Sequence, residues 1–544
     1  MASSPAEIQE IAKAEYCKSG GLAQMIKNAL FSQKARRKLI LEFTTKNSHV
    51  KQSIDAEEFS RFEENVRIAQ LDLEALMQKR MERMSKEFHV PLVSKRSKTN
   101  QKLFLIERDG KTDINISTGL EKCFKISDES ITATGFYSDE DLFEAISKTQ
   151  LRKFTDNESV LFSNIWSTCN SSFQTLTVED FQFQFAELGP TFCHFGADDE
   201  GDDESFEIRM NQAAEKIFEM KSTEHARRLA KQGFSATIRA QMWTLIIHSD
   251  LTLDIRQYAR EQCCHLKAQI SRYKLLTDIV IVNAAKECKD DDNYFVFEEM
   301  IQEILLLFSQ DEWVRENTAN SKENIPDEVM KAEVRNKMKG KWGIPPKAYP
   351  PNGIVPFCNL PNYAMIVTFL FQNLDSAYIM FRELYSRYFF NLHTISTHSN
   401  GIMSLCVTFE TLLKQLDPIL YLRLTHDMAC PPITYAFRWL MLGFVGVLDS
   451  EQVLILWDRI LGYDRMEILS AVAAAIFVFR REKLMSTKSE HDIEIALSDL
   501  AMIKVIPLIQ HYFFLRKTQA DNLQDEWQMF TTALHSENDD KEHD

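Results

Sequence analysis

Three stretches decide the fold class: TFETLLKQLDPILYLRL (408–424), PPITYAFRWLMLGFVGVL (431–448) and EQVLILWDRILGY (451–463). In each, apolar residues recur at steps of three and four, the period of a helix with a buried face, and do not alternate as a half-buried strand would. Pro418 and the pair Pro431-Pro432 fit helix starts, where a missing N–H removes a donor that would have no intrahelical partner anyway. Asp449 or Ser450 fits the cap of the helix carrying Trp457 and Asp458. From Met403 to Leu484 the pattern is that of consecutive buried helices. The longest mainly apolar run, Ile468 to Phe479, is ended by Arg480 and falls well short of the roughly 20 residues needed to cross a bilayer.

Composition extends this reading to the whole chain of 544 residues. Sixteen Gly and 14 Pro are too few for a turn-dense β protein, while 44% hydrophobic and 26% charged residues supply both a core and a wettable surface. The fold class is mostly all-α. Seventy-nine acidic against 63 basic residues leave a formal charge of -16, which repels polyphosphate and argues against nucleic acid as a partner. Glu7, Glu10 and Glu15 interrupt the start, so no secretory signal is read there and a cytoplasmic protein is expected. The ten cysteines contain no C-x-x-C pair. Cys193-His194 and Cys263-Cys264-His265 lack a second pair at zinc spacing, so no metal site is expected.

Toward the N-terminus, Phe59, Phe62, Val66, Ala69, Leu73 and Leu76 step by three and four, then shift phase to Met77, Met81, Met84 and Phe88. This predicts a long helix capped by Asp55 and Glu58 and stopped by Pro91. The slip in phase favours one face of a helical core over a dimeric coiled coil. Asp109-Gly110 within Lys102 to Ser117 predicts a β-hairpin, and Ser138 with Asp141 opens another helix. The expected organisation is a separate, mainly helical N-terminal region (1–195) without a chemical motif, an acidic linker (196–205), a helical domain (206–484) interrupted by an insertion at about 316–352, C-terminal helices packing on that domain (485–533), and an acidic disordered tail (534–544). Within the insertion a short helix is expected from Pro326 to about Lys339.

No P-loop, H-E-x-x-H, G-x-S-x-G or kinase signature is present. Gly233-Phe-Ser-Ala-Thr-Ile-Arg239-Ala-Gln-Met-Trp243 instead resembles the opening motif of TBC domains, G-x-P-x-x-L-R-x-x-x-W, with Ser235 in place of the proline. The run from Pro418 through Tyr435, Trp439, Phe444 and Leu456-Trp457-Asp458 resembles the closing motif of the same family. The resemblance implies a helical TBC domain over residues 206–484 and the role of an activator of Rab GTPases. Family members supply an arginine and a glutamine in trans to GTP held by the Rab. The planar arginine cation stabilises charge spread over the phosphate oxygens. The resemblance further implies that GTP and magnesium would be carried by the partner and that the chain would need no cofactor of its own.

Laid on this sequence, the family's arginine motif I-x-x-D-x-x-R falls on Leu275 to Ile281, leaving Ile281 at the arginine position and retaining Asp278. Arg272 and Lys286 flank the motif at the wrong spacing. The glutamine motif Y-x-Q-G falls on Phe357-Cys358-Asn359-Leu360, where Asn359 keeps the amide on a side chain shorter by roughly 1.5 Å. Asp278 and Phe357 are expected to face the GTPase or to order their loops, Asp278 the latter, while Gly233, Arg239, Trp243, Trp439, Trp457 and Asp458 are expected to be structural. An arginine introduced at 281 is expected to raise any activity. The functional expectation is a GTPase-activating-protein-like regulator of a Rab in vesicle trafficking, recruited to membranes only peripherally through partners. The alternative is a catalytically inactive Rab-binding scaffold or adaptor.

Overall fold

The computed structural model describes residues 56–95, 134–151, 176–197, 204–248, 255–270, 273–286, 294–318 and 350–515. The hairpin expected within 102–117 and the helix expected from Pro326 lie outside them. The main helices are α1 (Ala56–Glu87), α2 (Asp139–Leu151), α3 (Glu204–Met220), α4 (Thr223–Ala230), α5 (Arg239–Ile247), α6 (Ile255–Ile270), α7 (Leu276–Lys286) and α8 (Glu298–Gln310). They continue as α9 (Leu360–Leu370), α10 (Leu374–Arg387), α11 (Ile402–Leu416), α12 (Pro432–Met441), α13 (Ser450–Tyr463) and α14 (Glu467–Phe479). Among the described residues the sheet is a two-stranded antiparallel pair, β1 (Val93–Lys95) and β2 (Tyr273–Leu275), with Val93 opposite Leu275.

The stretches at 408–463 form helices with the expected ends. Pro418 begins a short helix (Pro418–Leu422) whose cap, Asp417, accepts the Leu420 N–H at 3.0 Å. Pro432 opens α12, and Asp449 caps α13 by accepting the Glu451 N–H at 3.0 Å. Such caps satisfy donors that the first helical turn leaves without partners. α11 lies along α14 and α12; α8 packs with α6, α9 and α10; and α4 lies against α13.

The phase slip in α1 marks a change of core. Phe62, Val66, Ala69 and Leu73 enter the main hydrophobic cluster, whereas Met81, flanked by Met77 and Met84, enters a smaller one with Phe136, Leu276, Val280 and Val355. A single helix serves two cores by presenting two stripes. Tyr137, Phe181 and Phe185 also join the main cluster, so described segments on both sides of the acidic stretch share apolar packing. Glu204 and Ser205, at the end of that stretch, already belong to α3.

Segments more than 200 residues apart meet at Asp458. Its fully buried carboxylate accepts the Trp243 indole N–H at 2.7 Å, the Phe234 backbone N–H at 3.1 Å and the Arg239 Nε–H at 3.1 Å. Arg239 also donates to the Phe234 carbonyl at 2.7 Å. Next along α13, buried Arg459 donates to the carbonyls of Phe195 (2.8 Å) and Gln232 (2.9 Å). That guanidinium lies against Gly233, whose φ is +89° and where a Cβ would sit 2.3 Å from Arg459 Nη1. Only glycine satisfies both the backbone angle and the space.

Asp458→Ala strands the Arg239 cation in the core and is expected to lower unfolding free energy by about 3–5 kcal/mol, read by urea denaturation. Gly233→Ala is expected to destabilise as well, through the clash with Arg459.

Candidate functional site

The segment resembling the arginine motif is the β2–α7 junction. Asp278, in the first turn of α7, is fully buried, and its Oδ2 accepts the Leu275 N–H at 3.0 Å. That bond bends the chain from strand into helix. Every residue from Leu276 to Ala285 is buried. Leu276 and Val280, four apart, face the smaller cluster under α1, whereas Ile279, Ile281, Val282 and Ala285 face the main core. Ile281 is 2% exposed. The expectation that an arginine at 281 would raise activity is therefore withdrawn: the position is filled by packing, and a guanidinium there would be desolvated without a designed partner. Lys286 ends α7 half-buried, and Arg272 lies outside the described residues.

The segment resembling the glutamine motif enters α9. Phe357 is fully buried, its ring 5.5 Å from Tyr137, 5.9 Å from Tyr363 and 4.7 Å from the His393 imidazole. Of the two roles expected for Phe357, ordering its loop is the one that fits a ring enclosed by aromatic neighbours. Asn359 sits half-buried at the N-cap of α9 and makes no capping bond with its side chain. Its Nδ2 lies 3.4 Å from Asp139 Oδ1, a long contact that adds little by itself. Burial, followed by the neighbouring Glu140 charge, raises the Asp139 carboxyl above its ordinary range.

The two segments are neighbours: α7 and α9 are in contact, and Val355 joins Leu276 and Val280 in the smaller cluster. A short strap preceding α2 lies over the second segment. Its Phe136 N–H donates to the Pro356 carbonyl at 2.9 Å, and the Cys358 N–H donates to the Tyr137 carbonyl at 3.0 Å. Gly135 permits this approach, since a Cβ there would lie 2.2 Å from Cys358 N. Behind the strap, His393 Nδ1 meets the Tyr137 hydroxyl at 3.3 Å, and Nε2 meets the Tyr385 hydroxyl. Burial lowers the His393 pKa to about 3, so the ring is neutral, with one nitrogen donating and the other accepting.

Gly233, Arg239, Trp243, Trp457 and Asp458 form the separate constellation described above, in which the Trp243 and Trp457 rings stack at 6.3 Å. Trp439 packs on Phe477 and Phe444. Sequence reasoning missed Tyr137, His393 and the strap. The only local signal was a glycine and two aromatics ahead of the Ser138 cap, too short for any period to register. Among the described residues no group of metal-ligating side chains is assembled and no helix is long and apolar enough to cross a membrane.

The family model described as Rab-GTPase-TBC domain matches residues 356–485. TBC1 domain family member 19 from Homo sapiens is 33% identical over 388 residues, covering 70% of this chain and 71% of that protein. No solved structure matches.

Ile281→Arg is expected to lower the thermal midpoint or abolish soluble expression, because burying an unpaired ion costs several kcal/mol; a folded variant with wild-type stability, measured by calorimetry, would contradict this placement. His393 should make the fold acid-sensitive. Unfolded histidine binds a proton near pH 6.5 while the folded ring stays neutral to about 3, so its contribution is full above 6.5 and is lost as pH falls toward 3, at up to about 1.4 kcal/mol per pH unit. Urea unfolding at pH 7, 6 and 5 should show a shallower acid loss for His393→Gln.

Proposed function

This chain belongs to the Rab-GTPase-TBC domain family, and on that premise we propose that it regulates a Rab-type small GTPase by binding it without supplying an arginine to the nucleotide. The observation that carries the reading is Ile281, an aliphatic side chain 2% exposed on a helix whose sequence, LTDIVIVNAAK, contains no arginine. An arginine finger contributes about 10³- to 10⁵-fold in rate. An aliphatic group turned into the core cannot stabilise the charge that develops on the transferring phosphoryl oxygens. Asn359 is the remaining polar candidate at a finger position. Its half-buried amide supports a contact with the partner, but its reach is shorter than a glutamine's by roughly 1.5 Å.

The partner would bring GTP and its magnesium, and this chain would contribute a shaped surface. Residues 206–484 would form the binding domain, with the C-terminal helices packed on it and the preceding region available for control. A role in vesicle trafficking from the cytoplasm, with membrane attachment through partners, follows from the same reading.

The test is single-turnover hydrolysis by a panel of GTP-loaded Rab proteins with and without the full chain, run beside a binding assay. Binding of at least one Rab with acceleration far below 10³-fold is the expected result. Acceleration in the range of an arginine finger would overturn the reading. Should a smaller acceleration appear, Asn359→Ala is expected to remove most of it, since misplacement of about 1 Å already costs roughly 10²-fold.

A further inference from the structure

The strap, α1 and β1 converge on the two segments that the proposed function assigns to the GTPase. The strap pairs with 356–358 through two main-chain bonds and sends successive side chains to opposite sides: Phe136 into the smaller cluster and Tyr137 into the main one. β1 pairs with β2 immediately before α7, and the Leu276 N–H donates to the Leu92 carbonyl at 3.1 Å. Arg80 on α1 grips the strap, donating to the Phe136 carbonyl at 3.2 Å and, through both terminal nitrogens, to Asp141, with Nη2 to Oδ1 at 2.9 Å. Asp139 lies 3.4 Å from the Asn359 amide. Each finger segment is thus overlaid by an element from the first third of the chain.

We infer that α1, β1, the Gly135–Ser138 strap and the first turn of α2 form an intramolecular cap that excludes the GTPase from its binding face until displaced. This inference rests on the proposed function, since it names what the covered face receives. Two bodies cannot occupy one surface, so partner affinity is reduced by the fraction of molecules in which the cap is closed. The polar fastening suits release, while the buried side chains of Met81, Phe136 and Tyr137 oppose it. β1 and β2 are three residues each, and the Arg80–Asp141 pair has side chains 39% and 16% exposed, where ion pairs are weak and screened by salt. The strap's close fit depends on one absent methyl group, at Gly135.

Two full-length variants loosen the cap without removing a core side chain: Gly135→Ala, which drives the strap off the Phe357–Cys358 backbone, and Arg80→Glu, which turns the grip on Asp141 into repulsion. Arg67→Glu, an exposed change on the same helix beside Glu64, is the control. For each protein, hydrogen exchange at the Cys358 amide reads cap opening, and affinity for a panel of Rab proteins loaded with a non-hydrolysable GTP analogue reads the consequence. The expected result is faster Cys358 exchange and affinity raised about 5- to 150-fold, the usual range of coupling between two states, in both variants and not in the control. Unchanged affinity with a labile Cys358 amide would overturn the cap while leaving Rab recognition standing. No Rab binding by any form would overturn both. A Cys358 amide that stays protected in both variants, or loosened variants that unfold globally by circular dichroism, would show the strap to be permanent core and end the inference.

Discussion

The C-terminal half depends on one desolvated carboxylate. Asp458 is fully buried, and burial pushes its proton affinity up, while Arg239 opposes that shift from 3.1 Å. A charge in such a place is tolerated only when its lone pairs are filled. Here they are filled by an indole, a guanidinium and a backbone amide from the 234–243 segment. The arrangement is specific rather than merely adhesive, because no slide of that segment along α13 keeps all the donors in place. It ties the first helices of the domain to its penultimate ones and sets the frame within which α7 and α9 pack.

What the sequence made legible follows from period and from chemistry that can occur in only one place. The helices at 408–463 and the proline starts were readable because burial on helical faces repeats every three or four residues. Gly233, Arg239, Trp243 and Asp458 were readable as a structural set, although which atoms meet was not, because spacing along the chain says nothing of contacts across more than 200 residues. The slip in α1 was visible but ambiguous; the structure relates it to two clusters. Phe357 and Ile281 were legible as departures from a pattern, whereas their burial was not, since an aromatic or aliphatic residue is equally compatible with a binding face and a core.

The strap escaped sequence reading for a physical reason. Its main-chain pairing to 356–358 uses groups present in every residue, and its recognition depends on a missing side chain at Gly135 together with a histidine more than 250 positions away. Single-sequence patterns report on periodic burial, and a non-helical segment of a few residues has no period to report.

The composition of α7 connects the core to function. In LTDIVIVNAAK the aliphatic residues face two clusters at once, Leu276 and Val280 one way and Ile279 and Ile281 the other. A helix sandwiched in this manner has no room for a long cation at position 281, and its lysine, Lys286, sits in the last turn. Asp278 serves the backbone turn, its Oδ2 accepting the Leu275 N–H. The segment is enclosed on one side by α1, β1 and the strap. Leu276 and Val280 are thereby covered by residues from the first third of the chain, a constraint that follows from how α7 is packed.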